Sequence, residues 1–155
     1  MNSQFTHERY LSPFAWRYGS AEMRAIWSES NKRRLWRRIW VALAAAEARA
    51  GLVSQEELDD LRQRQDDVDI ASAEAIEREI LHDLMAEIRV YSAQCPVGGG
   101  KIHLGATSMD IEDNADALRL REALSIIRQG LVTCLESLCQ LVERYADLPC
   151  MGSTH

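Results

Sequence analysis

Apolar residues recur at steps of three and four along most of this 155-residue chain, a spacing that predicts amphipathic helices rather than strands. Ser20 can cap a short first helix, because its hydroxyl can accept a bond from a free N–H of the first turn. A second helix is predicted from about residue 30 to 50, where Gly51 is a typical residue to follow a helix C-terminus.

Ser54 and Glu57 have the spacing of a capping box and predict a short acidic helix that ends near Arg64. After a polar turn, one further helix is predicted from about 72 to 94, and Pro96 prevents its continuation. At about 100° per residue, His82 lies on the side of this helix opposite its apolar stripe. We therefore expect His82 to face water or a cleft rather than the core.

The last predicted helix is the longest, beginning at Thr107 or Ser108 and carrying an apolar stripe typical of a helix bundle. Gly130 is a point where it could divide into two helices. Undivided, residues 108–146 would span about 60 Å. The rest of the chain is too short to cover this stripe, so we expect it to need partners. Its members are Leu124, Ile127, Leu131, Leu135, Leu138, Val142 and Tyr145.

Composition supports an all-α globular chain, with 46% hydrophobic and 27% charged residues and an abundance of good helix formers. The net charge of −6 argues against a nucleic-acid partner, since no positive field is available to hold phosphates. The sequence has no apolar run long enough for a membrane helix and no signal-peptide pattern. The four cysteines form no CxxC pair or metal-finger spacing, which favours reduced thiols in a cytoplasmic protein.

Aromatic residues are concentrated at the start of the chain, with eight of the ten in the first 40 residues. The segment before Ser20, which contains Pro13, is predicted to be an irregular arm. Five basic residues follow among aromatic and aliphatic ones in the second helix: Lys32, Arg33, Arg34, Arg37 and Arg38. Such a run could bind RNA, but the acidic chain favours a solvated basic face behind a packed apolar one.

Candidate chemistry lies in separated polar clusters around a loop with four glycines and a proline between residues 95 and 105. Long loops of this kind are often functional. Arginine offers a forked donor for carboxylate or phosphate, and the start of a helix suits an anion. Glycines let the backbone approach such an anion, and histidine supplies acid or base chemistry. Together these features suggest a site for an anionic small molecule. The clusters are Arg17-Tyr18 with Ser20, His82-Asp83, Thr107-Ser108 and Thr154-His155.

Each of these residues also has a plain structural interpretation. A Thr-Ser pair at a helix start is usually a cap, and acidic residues in the first turns, such as Asp110, complement the helix dipole. We expect His103 to be packed or hydrogen-bonded under the loop. Lys101 could contact a ligand or be a solvated loop residue, and Tyr18 could pack among the aromatics. The histidines have no HxxxH or HxH spacing, so a metal site is not predicted.

Several segments, in order along nearly the whole chain, resemble the adenylosuccinate lyase family of the fumarase/aspartase superfamily. The segment Arg17-Tyr-Gly-Ser-Ala-Glu-Met23 is similar to its N-terminal motif, and His82-Asp-Leu-Met-Ala86 to its His-Asp-Val-Met-Ala motif. Ile102-His-Leu-Gly-Ala-Thr-Ser108 matches a block that is specific to the superfamily. Gly152-Ser-Thr-His155 resembles the start of its Gly-x-Thr-His-x-Gln signature.

The resemblance implies an all-α fold, with an N-terminal helical domain over 1–107 and the start of a central helix bundle over 108–155. It implies β-elimination of fumarate from adenylosuccinate, giving AMP, and from the related succinyl-carboxamide ribotide. It also implies a cytoplasmic homotetramer whose sites draw residues from three subunits, with no metal or organic cofactor.

By position in the family motifs, the resemblance implies a role for each of seven residues. His155 would be the general acid, and His82 would support catalysis on the phosphate side of the substrate. Asp83 would bind substrate or orient His82. The nucleotide would be bound by Arg17 and Tyr18, and the succinyl carboxylate by Thr107 and Ser108.

Two departures from the family pattern matter. Leu81 stands where the family often has arginine, although Arg78 lies one turn earlier. Family chains are also much longer, and the part without a counterpart here includes the serine that acts as base. We therefore interpret the sequence as an N-terminal fragment and predict that it has no lyase activity alone.

Two alternatives remain open from the sequence. The first is another enzyme of the superfamily, such as a cycloisomerase or argininosuccinate lyase, but the Arg17-to-Met23 motif favours the purine enzyme. The second is a non-catalytic helical association module in which the stripe of the last helix is simply an interface. Loss of turnover on removing the side chain of His82 would distinguish an enzyme from such a module.

Overall fold

The computed structural model describes residues 10–154 and is all-α, as predicted, with no strand in that range. A π-helical turn, Phe14–Tyr18, precedes the first α-helix. The α-helices are α1 (Ala21–Ile26), α2 (Glu29–Arg49), α3 (Gln55–Arg64), α4 (Ile70–Ile80), α5 (Asp83–Gln94) and α6 (Ser108–Tyr145). A short 3₁₀ turn, Gly99–Lys101, lies between α5 and α6.

The predicted helix ends are confirmed where side chains cap them. The Ser20 hydroxyl accepts the Met23 N–H at 3.1 Å and starts α1. At α3 the Ser54 hydroxyl accepts the Glu57 N–H at 3.1 Å, and the Glu57 carboxylate accepts the Ser54 N–H at 2.7 Å. After α2, Gly51 adopts a left-handed φ of 77°, which a glycine adopts without steric cost.

The core forms where α2 packs against α3, α5 and α6. Its largest apolar members are almost fully buried: Leu35, Trp36, Trp40, Leu61, Leu84, Tyr91 and Ile111. The Tyr91 hydroxyl donates to the Leu61 carbonyl at 2.6 Å, so this buried polar group is satisfied. This core ties α2, α3 and α5 to the first turns of α6.

The basic face predicted for α2 is partly wrong, because two of its arginines are buried. Arg33 and Arg37 are 1% and 0% exposed, and both contact Glu87 of α5, itself 0% exposed. Arg33 Nη1 lies 3.1 Å from Glu87 Oε2, and Arg37 Nε lies 2.7 Å from Glu87 Oε1. A buried carboxylate held by two guanidiniums therefore replaces part of the expected solvated surface.

Three further expectations about helices need correction. The single helix predicted over 72–94 is two helices, because Leu81 adopts a left-handed φ of 56° that ends α4. The arm around Pro13 is not wholly irregular, since it forms the π-helical turn. Gly130 does not divide α6, which runs undivided through 38 residues, or about 57 Å.

Beyond Ala123, α6 extends away from the core with its apolar stripe exposed. Leu131 and Leu135 are 61% and 60% exposed, respectively, as expected for a stripe that nothing else in residues 10–154 covers. None of the helices in residues 10–154 combines the length and the hydropathy of a membrane-spanning segment. The division into domains at 107/108 stays a prediction, although α6 does begin at Ser108.

Candidate functional site

The break between α4 and α5 brings His82 to the surface. Leu81 turns the chain, and His82 becomes the residue that caps α5, where its Nδ1 accepts the Met85 N–H at 3.4 Å. The side chain is 45% exposed. His82 therefore faces outward, as predicted, although it lies at the start of a helix and not in the middle of one.

Asp83 follows in the first turn of α5, where the helix dipole favours a carboxylate. Its Oδ1 accepts the Leu84 N–H at 2.8 Å and lies 3.9 Å from His82 Nδ1. Its Oδ2 lies 3.6 Å from Lys32 Nζ of α2. Asp83 thus stands between the imidazole and an ammonium group.

The first turns of α6 complete this side of the site. A cavity of about 190 Å³ lies between α2, α5 and α6 and is lined by Lys32, Trp36, Asp83, Glu112, Asp116 and Arg119. Burial raises the pKa of Glu112, and the negative charge of Asp83 raises it further, while Lys32 and His82 oppose the shift. Neither Lys32 nor Glu112 was predicted as a site residue, because contacts between distant helices leave no local signal in the sequence.

Thr107 and Ser108 begin α6, where an anion-binding site is predicted. The Thr107 N–H donates to Asp110 Oδ2 at 2.9 Å, so the chain's own carboxylate satisfies this donor. This confirms that Asp110 is a partner of the helix start. Ser108 is half-buried and Thr107 exposed. Their contact with a substrate carboxylate stays a prediction.

Two glycines of the loop, Gly98 and Gly99, pack closely against other parts of the chain, whereas Gly100 and Gly105 have open space around them. A Cβ on Gly98 would collide with the Glu57 carbonyl of α3, and one on Gly99 would lie 2.5 Å from the Ser92 carbonyl of α5. Asp60 accepts the Val97 and Gly98 N–H groups, each at 2.8 Å. The expectation that these glycines approach a bound anion is therefore wrong for Gly98 and Gly99, whose close neighbours are backbone carbonyls.

His103 is part of this loop and is hydrogen-bonded, as predicted. Trp40 Nε1–H donates to His103 Nδ1 at 3.2 Å, and the two rings meet edge to face. Burial lowers the pKa of His103, and the nearby His82 lowers it further, while Asp110 opposes the shift. The neutral imidazole is thus the favoured form. Lys101 also forms a hydrogen bond within the chain, since its Nζ donates to the Leu52 carbonyl at 2.9 Å.

Arg17 and Tyr18 lie on the exposed π-helical turn. The Arg17 guanidinium is 4.6 Å from the centre of the Trp16 ring, and the Tyr18 ring is 6.3 Å from that of Phe14. Arg24 of α1 ties this turn down by donating to the Gly19 carbonyl. These contacts are all local, so the association of Arg17 and Tyr18 with the cluster around His82 stays a prediction.

His155 lies outside the described residues, and its role as general acid stays a prediction. Within 10–154, no three His, Cys, Asp or Glu side chains are placed to hold a metal ion. The four cysteines are free thiols: Cys95 is buried, and Cys134, Cys139 and Cys150 are exposed. The geometry therefore brings together His82, Asp83, Lys32 and Glu112, with the α6 start beside them.

Comparison with known proteins finds relatives that all carry the same name. The chain is 39% identical over 153 residues to an adenylosuccinate lyase of Saccharomyces cerevisiae, covering 96% of this chain and 32% of that protein. It is also 39% identical over 147 residues to one of Pyrococcus horikoshii, covering 94% and 33%, respectively. A third, from Schistosoma mansoni, is 34% identical over 149 residues, covering 96% and 31%. The chain spans about a third of the length of these curated relatives, and no family model matches it.

Proposed function

We infer that this chain belongs to the adenylosuccinate lyase family, and we propose that it supplies one catalytic histidine and part of the substrate site of such an enzyme. The observation that carries the proposal is the 39% identity to the yeast enzyme over 153 residues, which span the motifs at Arg17, His82 and Thr107. The proposed reaction is β-elimination of fumarate from adenylosuccinate to give AMP, with the succinyl-carboxamide ribotide as a second substrate. Both belong to purine biosynthesis.

The elimination needs a base, an acid and donors for an anionic intermediate. A base removes the proton next to a succinyl carboxylate, and the electron pair moves onto that carboxylate to form a doubly charged aci-carboxylate. The electrons then return to form the double bond of fumarate, the C–N bond breaks, and an acid protonates the departing nitrogen. We propose His155 as that acid, and a base from outside these 155 residues.

The geometry around His82 supports its proposed catalytic role. Its imidazole is at the surface, 3.9 Å from the carboxylate of Asp83, which itself lines a cavity between three helices. Histidine exchanges protons near neutral pH, and the Asp83 carboxylate lies next to the ring in the first turn of α5. We propose that His82 contacts the phosphate side of the substrate and that Asp83 binds substrate or orients His82.

We propose that Thr107 and Ser108 bind the succinyl carboxylate and that Arg17 and Tyr18 bind the nucleotide. Because the Thr107 N–H is already bonded to Asp110, the carboxylate contact falls to the Thr107 hydroxyl and to Ser108. Arg17 and Tyr18 are exposed, so both side chains are accessible to a ligand. No metal or organic cofactor is proposed, and neither a nucleic acid nor a membrane is proposed as partner.

We propose that the exposed stripe of α6 mediates self-association into a homotetramer in the cytoplasm. The stripe continues for more than 20 residues, and most of its members are more than half exposed. An apolar surface of this extent is typical of an interface. The 155-residue chain alone should release no fumarate, because we propose that the base and part of the binding site come from additional sequence.

The test is fumarate release from adenylosuccinate by the protein that carries this chain, followed by proton NMR. His82→Gln should lower kcat by about 10²- to 10⁴-fold, the usual contribution of a positioned acid or base, and leave the oligomeric state unchanged. Arg38→Gln, on the exposed face of α2, is the matched control and should keep full activity. Equal turnover by the His82 variant and the unsubstituted protein would refute the proposed role.

A further inference from the structure

Helix α5, which starts with His82 and Asp83, is tied to α2 by two ionic contacts one turn apart. The inner contact is buried: the Glu87 carboxylate oxygens lie 3.1 Å from Arg33 Nη1 and 2.7 Å from Arg37 Nε. The outer contact lies at the surface, where Lys32 Nζ is 3.6 Å from Asp83 Oδ2. Because Asp83 and Glu87 are four residues apart, they lie on the same face of α5. Helix α2 therefore sets the rotation of α5 about its axis.

The inner contact is a strong anchor. Arg37 Nη1 also donates to the Arg64 and Asp67 carbonyls, at 2.9 and 3.1 Å, and to Gln94 Oε1 at 2.8 Å. The C-terminal end of α5 is thus held rigidly to α2 and to the turn after α3. The N-terminal end, by contrast, follows the break at Leu81 and depends on Lys32 for its ionic contact with α2.

Lys32 is itself held in place by α2. Its ammonium group lies 4.7 Å from the centre of the Trp36 ring and 3.4 Å from Glu29 Oε1. The side chain is only 25% exposed, which limits the number of positions its head group can occupy. Lys32 is thus a charge whose direction is fixed by packing, as a positioning group requires.

Carboxylates surround the end of Lys32 on two sides. Glu112 and Asp116 of α6 share a cavity of about 190 Å³ with Asp83, and the other cation lining it is Arg119, which already pairs with Asp116 at 2.8 Å. Without the ammonium group, Asp83 and Glu112 would repel each other across this cavity. The charged groups that share this cavity with Asp83 are therefore Lys32 from α2 and Glu112, Asp116 and Arg119 from α6, and His82 lies next to Asp83 in the chain.

We propose that Lys32 is a positioning residue that holds the Asp83 carboxylate, and with it the first turn of α5 that the His82 imidazole caps, in the orientation the site uses. This inference rests on the role proposed above for His82. Lys32 keeps one Asp83 oxygen toward α2 and leaves the other beside the Leu84 N–H and His82 Nδ1. Loss of Lys32 turns Asp83 away from Glu112 and releases the imidazole from its cap on α5.

The first experiment measures positioning without any assay of activity. Backbone amide signals of Leu84 and Met85 report the two bonds involved, because their N–H groups donate to Asp83 and His82. In the ¹⁵N-labelled chain, Lys32→Met should shift both amide signals, and Lys32→Arg should return them toward the original positions. Arg38→Met removes the same charge from the exposed face of α2 and should leave both amides in place.

Two outcomes of that experiment would overturn the proposal. Leu84 and Met85 amides that do not move in Lys32→Met show that Asp83 needs no such contact. Equal shifts of the Leu84 and Met85 amide signals in Arg38→Met would show that loss of any positive charge on α2 moves them. A pH titration followed in the same spectra should show a higher pKa of Glu112 in Lys32→Met. In the unsubstituted chain, Lys32 opposes the rise in this pKa that burial causes. An unchanged pKa of Glu112 would contradict the described cluster.

The second experiment measures the consequence for turnover in the protein that carries this chain. Lys32→Met should lower kcat on adenylosuccinate by about 10- to 100-fold, the cost of a slightly misplaced catalytic group, with a smaller change in KM. Lys32→Arg should recover most of kcat. An unchanged kcat in Lys32→Met refutes the positioning role. If the unsubstituted protein does not cleave adenylosuccinate, the proposed function fails, and the amide shifts still decide whether Lys32 positions Asp83.

Discussion

The buried carboxylate of Glu87 should contribute more to stability than any surface ion pair of this chain. Glu87→Gln keeps the shape of the side chain and removes its charge, which leaves Arg33 and Arg37 buried opposite a neutral amide. All three side chains are at most 2% exposed, so water cannot compensate. Arg33 keeps Glu29 and Glu77 as ionic partners, at 3.1 and 3.4 Å, whereas Arg37 loses the carboxylate that it contacts. Removing one partner of such a buried pair costs about 3–5 kcal/mol, because the charge that remains is desolvated.

That cost is large compared with the total stability of a domain, which is about 5–15 kcal/mol. With a denaturant slope of about 2 kcal/mol per molar urea, it should lower the unfolding midpoint by about 1.5–2.5 M. The assay is urea unfolding followed by tryptophan fluorescence, since Trp36 and Trp40 lie in the same core. Added salt should change the difference little, because buried charges are weakly screened.

The matched control is Asp59→Asn, which makes the same chemical change at the surface. Asp59 pairs with Arg62 at 3.2 Å, and both side chains are about half exposed, so this pair should contribute less than about 1 kcal/mol. The reasoning is refuted if Glu87→Gln lowers the midpoint no more than Asp59→Asn does. It is also refuted if high salt abolishes the effect of Glu87→Gln.

Three further predictions concern individual residues. Burial raises the pKa of Cys95 to about 11, so a thiol reagent near neutral pH should label only the three exposed cysteines of the native chain quickly, and rapid labelling of Cys95 would contradict its burial. Burial lowers the pKa of His103 below its ordinary value of 6.5, so the unfolded state gains a proton first and stability should fall as pH drops below 6.5. His103→Asn should flatten that dependence, measured by unfolding at several pH values, and parallel curves would show that another group causes it. Gly51→Ala should destabilise the folded chain by about 1–2 kcal/mol, because φ is 77° at this position. Gly130→Ala, within α6, should stabilise the folded chain by about 0.5–1 kcal/mol. Changes of the same sign in the two unfolding temperatures would be inconsistent with these conformations.

The parts of the fold that the sequence predicts are those specified locally. The Ser54–Glu57 capping box and the glycine at 51 each act within a few residues, and both occur where predicted. The all-α class likewise follows from helix formers spread along the chain. His103 was expected to be packed or hydrogen-bonded, and it accepts a bond from Trp40.

The features that the sequence does not predict depend on distant partners. Leucine gives no local sign of a left-handed conformation, so the break at Leu81 is invisible in a pattern that continues through it. Arg33 and Arg37 are polar in any local pattern, and the carboxylate that allows their burial is 54 and 50 residues away. The contact between Lys32 and Asp83 is hidden for the same reason, since it joins two helices whose packing must be known first.

The most direct test of the proposed function replaces the matching segment of the Saccharomyces cerevisiae adenylosuccinate lyase with this chain, whose 39% identity to it extends over 153 residues. Fumarate release from adenylosuccinate is then measured for this chimera and for its His82→Gln variant, with both assembled to the same oligomeric state. The account predicts that the chimera cleaves adenylosuccinate and that His82→Gln removes nearly all of this activity. An assembled chimera that does not cleave adenylosuccinate, or one that cleaves it equally well without His82, would contradict the account.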